Sequence, residues 1–315
     1  MILDEIREKI ENADTIAIIV HENPDGDAIG SGLGMYQVLK KIGKNVDIII
    51  PEYAKVFEIM PCINESIREG NREYDLAISL DCATKLRLAD PSNSFEKAKS
   101  TIVIDHHVVN SMYGETNYVD HVSPACCQIL VKLFEYWNYE IDKNIGICLL
   151  TGIITDTGGF AYEGVNSETL QIAAKLLDKG INIAGIYRKL MVKSKAKFEL
   201  AKIVTDRIEF FEDGKIAFTY ITSEDEKITG AQNGDTEGCV EIGRDIEGVE
   251  VSVFLREIFE DVYKVSMRSN SYVNVSDICL VFGGGGHIKA AGCTVTGNIE
   301  QARKKILKQI KSNLK

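Results

Sequence analysis

The sequence is short of several things that would assign it to a class at once. No apolar run reaches the ~18 residues that a membrane-spanning helix needs. Residues 1–10 read as an amphipathic helix with no basic stretch ahead of an apolar core, so no secretory leader is read there and the expected location is the cytoplasm. The 8 cysteines are scattered without a Cys-x-x-Cys pair. Cys82, Cys148 and Cys279 lie in apolar runs, which predicts reduced core thiols rather than a disulfide frame. The adjacent Cys126 and Cys127 are read as helix packing. Positive charge is scarce too: 36 Lys and Arg stand against 47 Asp and Glu, a net charge of −11. Neutralising phosphates supplies most non-specific affinity for nucleic acid. The deficit therefore argues against long nucleic acid, and a nucleotide substrate would be short. Gly30-Ser31-Gly32-Leu33-Gly34 lacks the Gly-x-Gly-x-x-Gly spacing, and no Gly-Lys-Ser/Thr is present, which disfavours a dinucleotide or P-loop site. No internal repeat or low-complexity tract is found.

What is present reads as two domains. A chain of 315 residues, 45% hydrophobic and 26% charged, can bury two cores. Apolar β-rich runs at 15–20, 46–50, 75–80 and 101–104 alternate with helical patterns at 27–42, 85–90, 123–138 and 144–154. A further helix at 166–180 is opened by Asn166-Ser167-Glu168 and closed by Gly180. Such alternation predicts an α/β fold, a mostly parallel sheet flanked by helices. The glycines after Asp27 would let the next helix pack close to that sheet. A lysine-bearing helical stretch at 191–205 reads as a connector. Beyond it, two alternating runs around Asp213-Gly214 predict a hairpin, and strands follow at 249–258 and 262–268. The expected division is thus 1–190, a connector at 191–205, and a smaller mixed α+β domain at 206–315.

Four short stretches carry the chemistry. His21-Glu22-Asn23-Pro24-Asp25-Gly26-Asp27, Asp81-Cys82 and Asp105-His106-His107 each follow an apolar run, and Asp156 lies in Thr155-Asp156-Thr157-Gly158-Gly159-Phe160. In open α/β sheets the strand ends share one crevice, and ligands bind there. Each carboxylate alone reads as a helix cap or a solvated turn. Converging without cations, they would cost on the order of several kcal/mol in repulsion and desolvation. Two divalent ions remove that cost. Oxygen and imidazole donors with no thiolate suit Mn²⁺ or Mg²⁺ better than a structural zinc, and the nitrogens favour Mn²⁺. Two such ions about 3.5–4 Å apart, bridged by a carboxylate, make hydroxide available at neutral pH and clamp a phosphoryl oxygen. His106 and His107 point to opposite sides of an extended segment, so one can ligate while the other faces substrate. Asp105 is expected to hydrogen-bond a histidine. His121 has no such context.

Taken together, these residues resemble the DHH phosphoesterase superfamily. His21-x-x-x-Asp25-x-Asp27, Asp81, Asp105-His106-His107 and Asp156 match its four motifs. Phe282-Gly283-Gly284-Gly285-Gly286-His287-Ile288-Lys289-Ala290-Ala291-Gly292 resembles the glycine-histidine motif of the DHH-associated C-terminal domain. Val265-Ser266-Met267-Arg268-Ser269 resembles that domain's other signature. Within the superfamily the likeness is to the oligoribonuclease/pAp phosphatase (nanoRNase) group. It implies that His21, Asp25 and Asp81 hold one Mn²⁺. Asp27, Asp81, His106 and Asp156 would hold a second, with Asp81 bridging and Mg²⁺ or Co²⁺ as substitutes. His107, with Asp105 beside it, would contact the scissile phosphate. Arg268, Ser269, Gly284, Gly285, Gly286 and His287 would hold the nucleotide's far end, with the active site in the cleft between the domains. Glycine N–H groups and an arginine fork suit phosphate oxygens.

The implied activity is hydrolysis of short oligoribonucleotides to 5′-mononucleotides and of the 3′-phosphate of 3′-phosphoadenosine 5′-phosphate (pAp). The implied partners are short oligonucleotides and nucleotide bisphosphates, with no long duplex, no membrane, and a homodimer allowed. Cleavage of cyclic di-adenylate or pApA is an alternative, since the same metals serve both. A RecJ-type exonuclease is disfavoured by the short acidic chain. A family II pyrophosphatase is disfavoured by the glycine-histidine motif, and an idle nucleotide sensor by the complete ligand set. The chain departs from its relatives at Ser123-Pro124-Ala125-Cys126-Cys127-Gln128, where they tend to carry Ser or Thr and an acidic residue. Asp235-Thr236-Glu237-Gly238 resembles a family segment near the substrate.

Overall fold

The computed structural model describes residues 2–232 and 234–314, and the chain divides after Val192 into two units. In the first, β1 (Thr15–Ile19), β2 (Asn45–Ile49), β3 (Leu76–Leu80), β4 (Ser100–Asp105) and β5 (Thr116–Val119) form a parallel sheet in the order β2-β1-β3-β4-β5. Parallel sheets are covered on both faces, so their strands read as continuous apolar runs, and every residue of β3 is buried. The period of two is still visible. Ile16 and Ile18 join the main core with Leu33, Phe134 and Trp137, whereas Ala17 and Ile19 join a smaller cluster with Tyr74 and Val103 on the other face. β5 was not expected. Thr116-Asn117-Tyr118-Val119 is a short, half-polar edge strand with no apolar run to mark it.

The helix Gly26–Lys41 crosses the helix Lys143–Asp156 closely. A Cβ on Gly30 would stand 2.5 Å from the Cys148 carbonyl oxygen, and one on Gly34 would stand 2.7 Å from Leu149. Gly32 alone of these glycines faces the sheet, against Ile48 and Val20. The glycines thus serve helix–helix packing more than the helix–sheet packing expected. The helix expected at 85–90 is a single 3₁₀ turn, Lys85–Arg87.

The second unit is a mixed sheet of β6 (Glu209–Phe211), β7 (Ile216–Ile221), β8 (Val251–Phe259), β9 (Val262–Ser269), β10 (Gly285–His287) and β11 (Ala290–Thr296), in the order β10-β11-β9-β8-β7-β6. Only β7 and β8 pair in parallel. The Asp213-Gly214 hairpin forms between β6 and β7, with Glu212, Asp213 and Gly214 all at positive φ. The helix Lys195–Asp206 buries Leu200 and Val204 against Ile221, Val240 and Phe254. By packing it belongs to this unit rather than standing free as a connector. Ile299–Lys311 covers the core with Ala302, Ile306 and Ile310. Among the described residues, no helix is long and apolar enough to cross a membrane.

Candidate metal centre

The C-terminal ends of β1, β3 and β4 bring the first three motifs together, and the last residue of the helix Lys143–Asp156 adds the fourth. His21 is buried and its Nδ1 lies 2.8 Å from the Glu22 carbonyl oxygen. That contact takes the Nδ1 proton and leaves Nε2 as a free donor atom. Nε2 stands 3.7 Å from Asp81 Oδ2 and 3.9 Å from Asp25 Oδ2. His106 follows the same rule: Nδ1 lies 3.3 Å from the Ser123 carbonyl oxygen, and Nε2 lies 3.3 Å from Asp81 Oδ1 and 3.2 Å from Asp156 Oδ2.

The carboxylates divide their oxygens between scaffold and centre. Asp25 is both helix cap and site residue. Its Oδ1 accepts from the backbone N–H of Asp27 at 2.9 Å and of Ala28 at 3.0 Å, while Oδ2 faces His21. Asp27 is fully buried. Its Oδ2 accepts from the Cys126 N–H at 2.5 Å and its Oδ1 from the Cys127 N–H at 2.9 Å. The helix Cys126–Trp137 begins after Ala125, whose side chain cannot cap, so Asp27 supplies the missing acceptor from a distant segment. Cys126 and Cys127 are buried, and burial pushes both thiols well up. They pack and offer backbone N–H groups rather than thiolates.

Asp81 lies between the two imidazoles, one carboxylate oxygen toward each. It is 2% exposed, and its Oδ1 has no hydrogen-bond partner. Its φ of +55° is a left-handed conformation that Asp tolerates better than most residues. Burial pushes its carboxyl far up, and the charges of Asp27, Asp25 and Asp156 push the same way. Burial also raises Asp27, and it raises Asp156 to about 7 with the Asp27 charge adding to it. An orphaned buried carboxylate oxygen among like charges is a donor set that a bound cation would satisfy. Asp105 is different. Burial opposes its charge, but His107 Nδ1 at 2.8 Å and Asn110 Nδ2 at 2.6 Å outweigh it and hold the carboxyl below its usual range. Asn110 was not expected; it sits three residues past His107 in the same loop.

These atoms fall into compact donor groups. One is His21, Asp25 and Asp81; another is Asp27, His106 and Asp156; a third is Asp81 with Asp105, His106 and His107.

The second unit brings its candidates together differently. Across the ladder, His287 pairs with Ala290, and Ala290 with Arg268, so these three share one face of the sheet. Arg268 Nε donates to Glu241 Oε1 at 3.0 Å. The Ser269 hydroxyl donates instead to the Val273 carbonyl at 2.7 Å, and the residue is buried. The glycine run is the start of a hairpin. A Cβ on Gly284 would stand 2.2 Å from the Gly292 carbonyl oxygen, and Gly286, at φ +148°, is pressed against Ala290 and Ala291. Gly285 has open space around it.

A family model for the DHH family, N-terminal domain, matches residues 15–153, and one for the DHHA1 domain matches residues 213–315. The bifunctional oligoribonuclease and PAP phosphatase NrnA of Thermus thermophilus is 33% identical over 303 residues, which is 95% of this chain and 90% of that protein. The chain belongs to the DHH family. An NrnA of the same description from Mycoplasma genitalium is 28% identical, over 91% of this chain and 90% of its own length. A crystal structure of an exopolyphosphatase-related protein from Bacteroides fragilis covers 99% of this chain and 96% of its own at 29% identity, with a TM-score of 0.91. Those spans take in both the DHH-type cluster and the Arg268–His287 face.

Proposed function

We propose that this DHH protein is a manganese-dependent phosphoesterase. It hydrolyses short oligoribonucleotides to 5′-mononucleotides and removes the 3′-phosphate of pAp. The observation that carries the reading is Asp81: a buried carboxylate, unpartnered at Oδ1, with one oxygen toward His21 and the other toward His106. His21, Asp25 and Asp81 would hold one divalent ion. Asp27, Asp81, His106 and Asp156 would hold the other. Bound there, two ions lower the pKa of a water and polarise a phosphoryl oxygen.

The chain's own groups do the rest. The carbonyls of Glu22 and Ser123 fix the ring orientations of His21 and His106. The N-terminus of the helix Cys126–Trp137 locks Asp27. Asp105 holds His107 by Nδ1, which leaves Nε2 to face a phosphate oxygen. Arg268, whose Nε meets Glu241 and whose Nη1 donates to the Met267 carbonyl at 3.1 Å, keeps its charge on the face it shares with His287, and the two recognise the far end of the substrate. The likeness to the two NrnA proteins supports this substrate class.

The test is a substrate panel with Mn²⁺: pAp, 2-mer to 24-mer RNA, pApA, cyclic di-adenylate and pyrophosphate. The expected result is turnover of pAp and of the shortest RNAs, with kcat/KM falling from 2-mer to 24-mer, and no turnover in excess chelator. A chain of net charge −11 has little surface on which to track a polymer. A 24-mer degraded as fast as the dimer would move the assignment to a RecJ-type exonuclease. Cyclic di-adenylate or pApA exceeding every other substrate would move it to a di-adenylate phosphodiesterase.

A further inference from the structure

The loop between Asp156 and the helix Ser167–Leu177 has no part in the chemistry described so far, yet it is tightly specified. Gly158 (φ +56°), Gly159 (φ +71°) and Phe160 (φ +68°) are all left-handed. Glycine enters that region freely; phenylalanine does not. Phe160 is held there by packing on the main core and by donating its N–H to Thr157 Oγ1 at 3.0 Å. The chain then folds back. The Tyr162 N–H reaches the Thr157 carbonyl at 3.1 Å, and the Tyr162 ring lies against Gly158, where a Cβ would stand 2.4 Å from the ring edge. Gly158 is glycine because the ring occupies the place of its side chain.

The loop is tied to the centre at both ends. One end is Asp156. At the other, a Cβ on Gly164 would be 3.3 Å from Pro124 Cβ, beside Ser123, whose carbonyl orients His106. The ring therefore lies on Gly158, two residues past Asp156, in a loop whose far end packs beside the segment that orients His106. Tyr162 is nevertheless 55% exposed. A single exposed aromatic needs no explanation. One clamped to the backbone beside a polar centre offers a flat apolar face that loses little freedom when covered. A phosphate ester of a nucleoside carries its base one sugar away from the reacting phosphorus, and any base can stack on such a face.

We propose that the Tyr162 ring is the stacking platform for a nucleobase next to the scissile phosphate. It registers that a base is present without reading which one. The proposal rests on the nucleotide reading above and extends it to a subsite.

The test is calorimetric titration of the Mn²⁺-loaded protein with AMP and with ribose 5-phosphate, which lacks the base. Wild type should bind AMP about 10- to 100-fold more tightly than ribose 5-phosphate. Y162A should lose most of that margin while its affinity for ribose 5-phosphate stays the same. Y162F should keep the margin, because the ring and not the hydroxyl stacks. Y162L fills the space over Gly158 without a ring and should behave as Y162A, which separates stacking from packing. Equal affinities in wild type, or a margin that survives in Y162L, would overturn the inference. A margin removed by Y162L in a protein that hydrolyses neither RNA dimers nor pAp would keep the subsite and sink the reaction proposed above.

Discussion

The two units handle buried charge in opposite ways. In the second, Arg268 meets Glu241, Arg207 grips Asp225 with both terminal nitrogens, and Glu250 accepts from the backbone N–H groups of Ser271, Tyr272 and Val273. Each of these carboxylates has found a donor inside its own unit. In the first, Asp27, Asp81 and Asp156 lie together against His21 and His106, and Asp81 Oδ1 has no donor at all. The first arrangement is costly without cations, whereas among the described carboxylates of the second only Glu241 Oε2 is left buried and unpartnered. Unsatisfied polarity is costly, so it persists where a ligand repays it. The centre of the first unit suits cations, and the paired groups of the second are scaffold, with Arg268 committed to Glu241 and to the Met267 carbonyl.

The largest effect should come from neutralising the orphan. Asp81→Asn keeps the left-handed backbone, which Asn tolerates, and removes one charge from the cluster. The hydrolysis rate on an RNA dimer should fall by more than about 10³-fold, as expected if Asp81 is the ligand proposed to be shared by both ions. Stability should move the other way. In chelator the variant should melt above wild type, because like-charge repulsion is relieved. Activity within tenfold of wild type would show that Asp81 is not shared by the two metals. A lower melting point in chelator would show that its charge is already compensated.

The residues of the cluster are legible because their signal is local. A carboxylate or imidazole directly after a buried apolar run marks a strand end, and β1, β3 and β4 all carry that mark. What holds these side chains in place is not legible. Asp27 is fixed by N–H groups of Cys126 and Cys127, which lie about a hundred positions along the chain and carry no side-chain signature. The departure at Ala125 reads from sequence as a lost hydroxyl, and only the structure shows Asp27 capping that helix in its place. In the second unit the glycine run looks like a loop. Two of its members are glycine because β10 and β11 approach too closely for a Cβ, and that requirement depends on pairing, not on sequence pattern. Glu241 was invisible as the partner of Arg268 for the same reason.

Arg268→Ala sharpens the contrast. The substitution leaves Glu241 without its cation, and Glu241 Oε2 is already buried and unpartnered. Both side chains are roughly a quarter exposed, which discounts the pair. A loss of about 1 kcal/mol, or about 3–5 °C in the melting of the second unit, is expected. So removing a charge destabilises here, where removing one from Asp81 stabilises. The rate on pAp or an RNA dimer should fall about 100-fold. Bis-p-nitrophenyl phosphate lacks the remote end and should be turned over almost normally, since binding energy spent remotely can serve the chemical step only when the remote group exists. Equal losses on both substrates would place Arg268 in the scaffold alone.

The smallest effect is a difference in the sign of pH dependence. Asp156 is raised from 3.8 to about 7 in the folded chain, by burial first and by the Asp27 charge second. A carboxyl raised on folding binds its proton more tightly in the native state. Its contribution is therefore fully present below about 3.8 and is lost as pH rises through about 7. Asp225 runs the other way. Burial opposes its charge, but Arg207 and Thr222 outweigh burial and hold the carboxyl below 3.8. Its contribution is present above that value and lost as pH falls. In chelator, the melting temperature of the first unit should drop by a few degrees between pH 5 and pH 8, while the second unit stays level over the same window. Saturating Mn²⁺ should abolish the drop, because ions bound to the cluster favour the ionised carboxylates at every pH in the range. Asp156→Asn should make it shallower without metal, with the raised carboxyls of Asp27 and Asp81 carrying the remainder. A slope of the same size with and without Mn²⁺ would mean that the raised carboxyl belongs to the resting fold and not to a cation-binding centre.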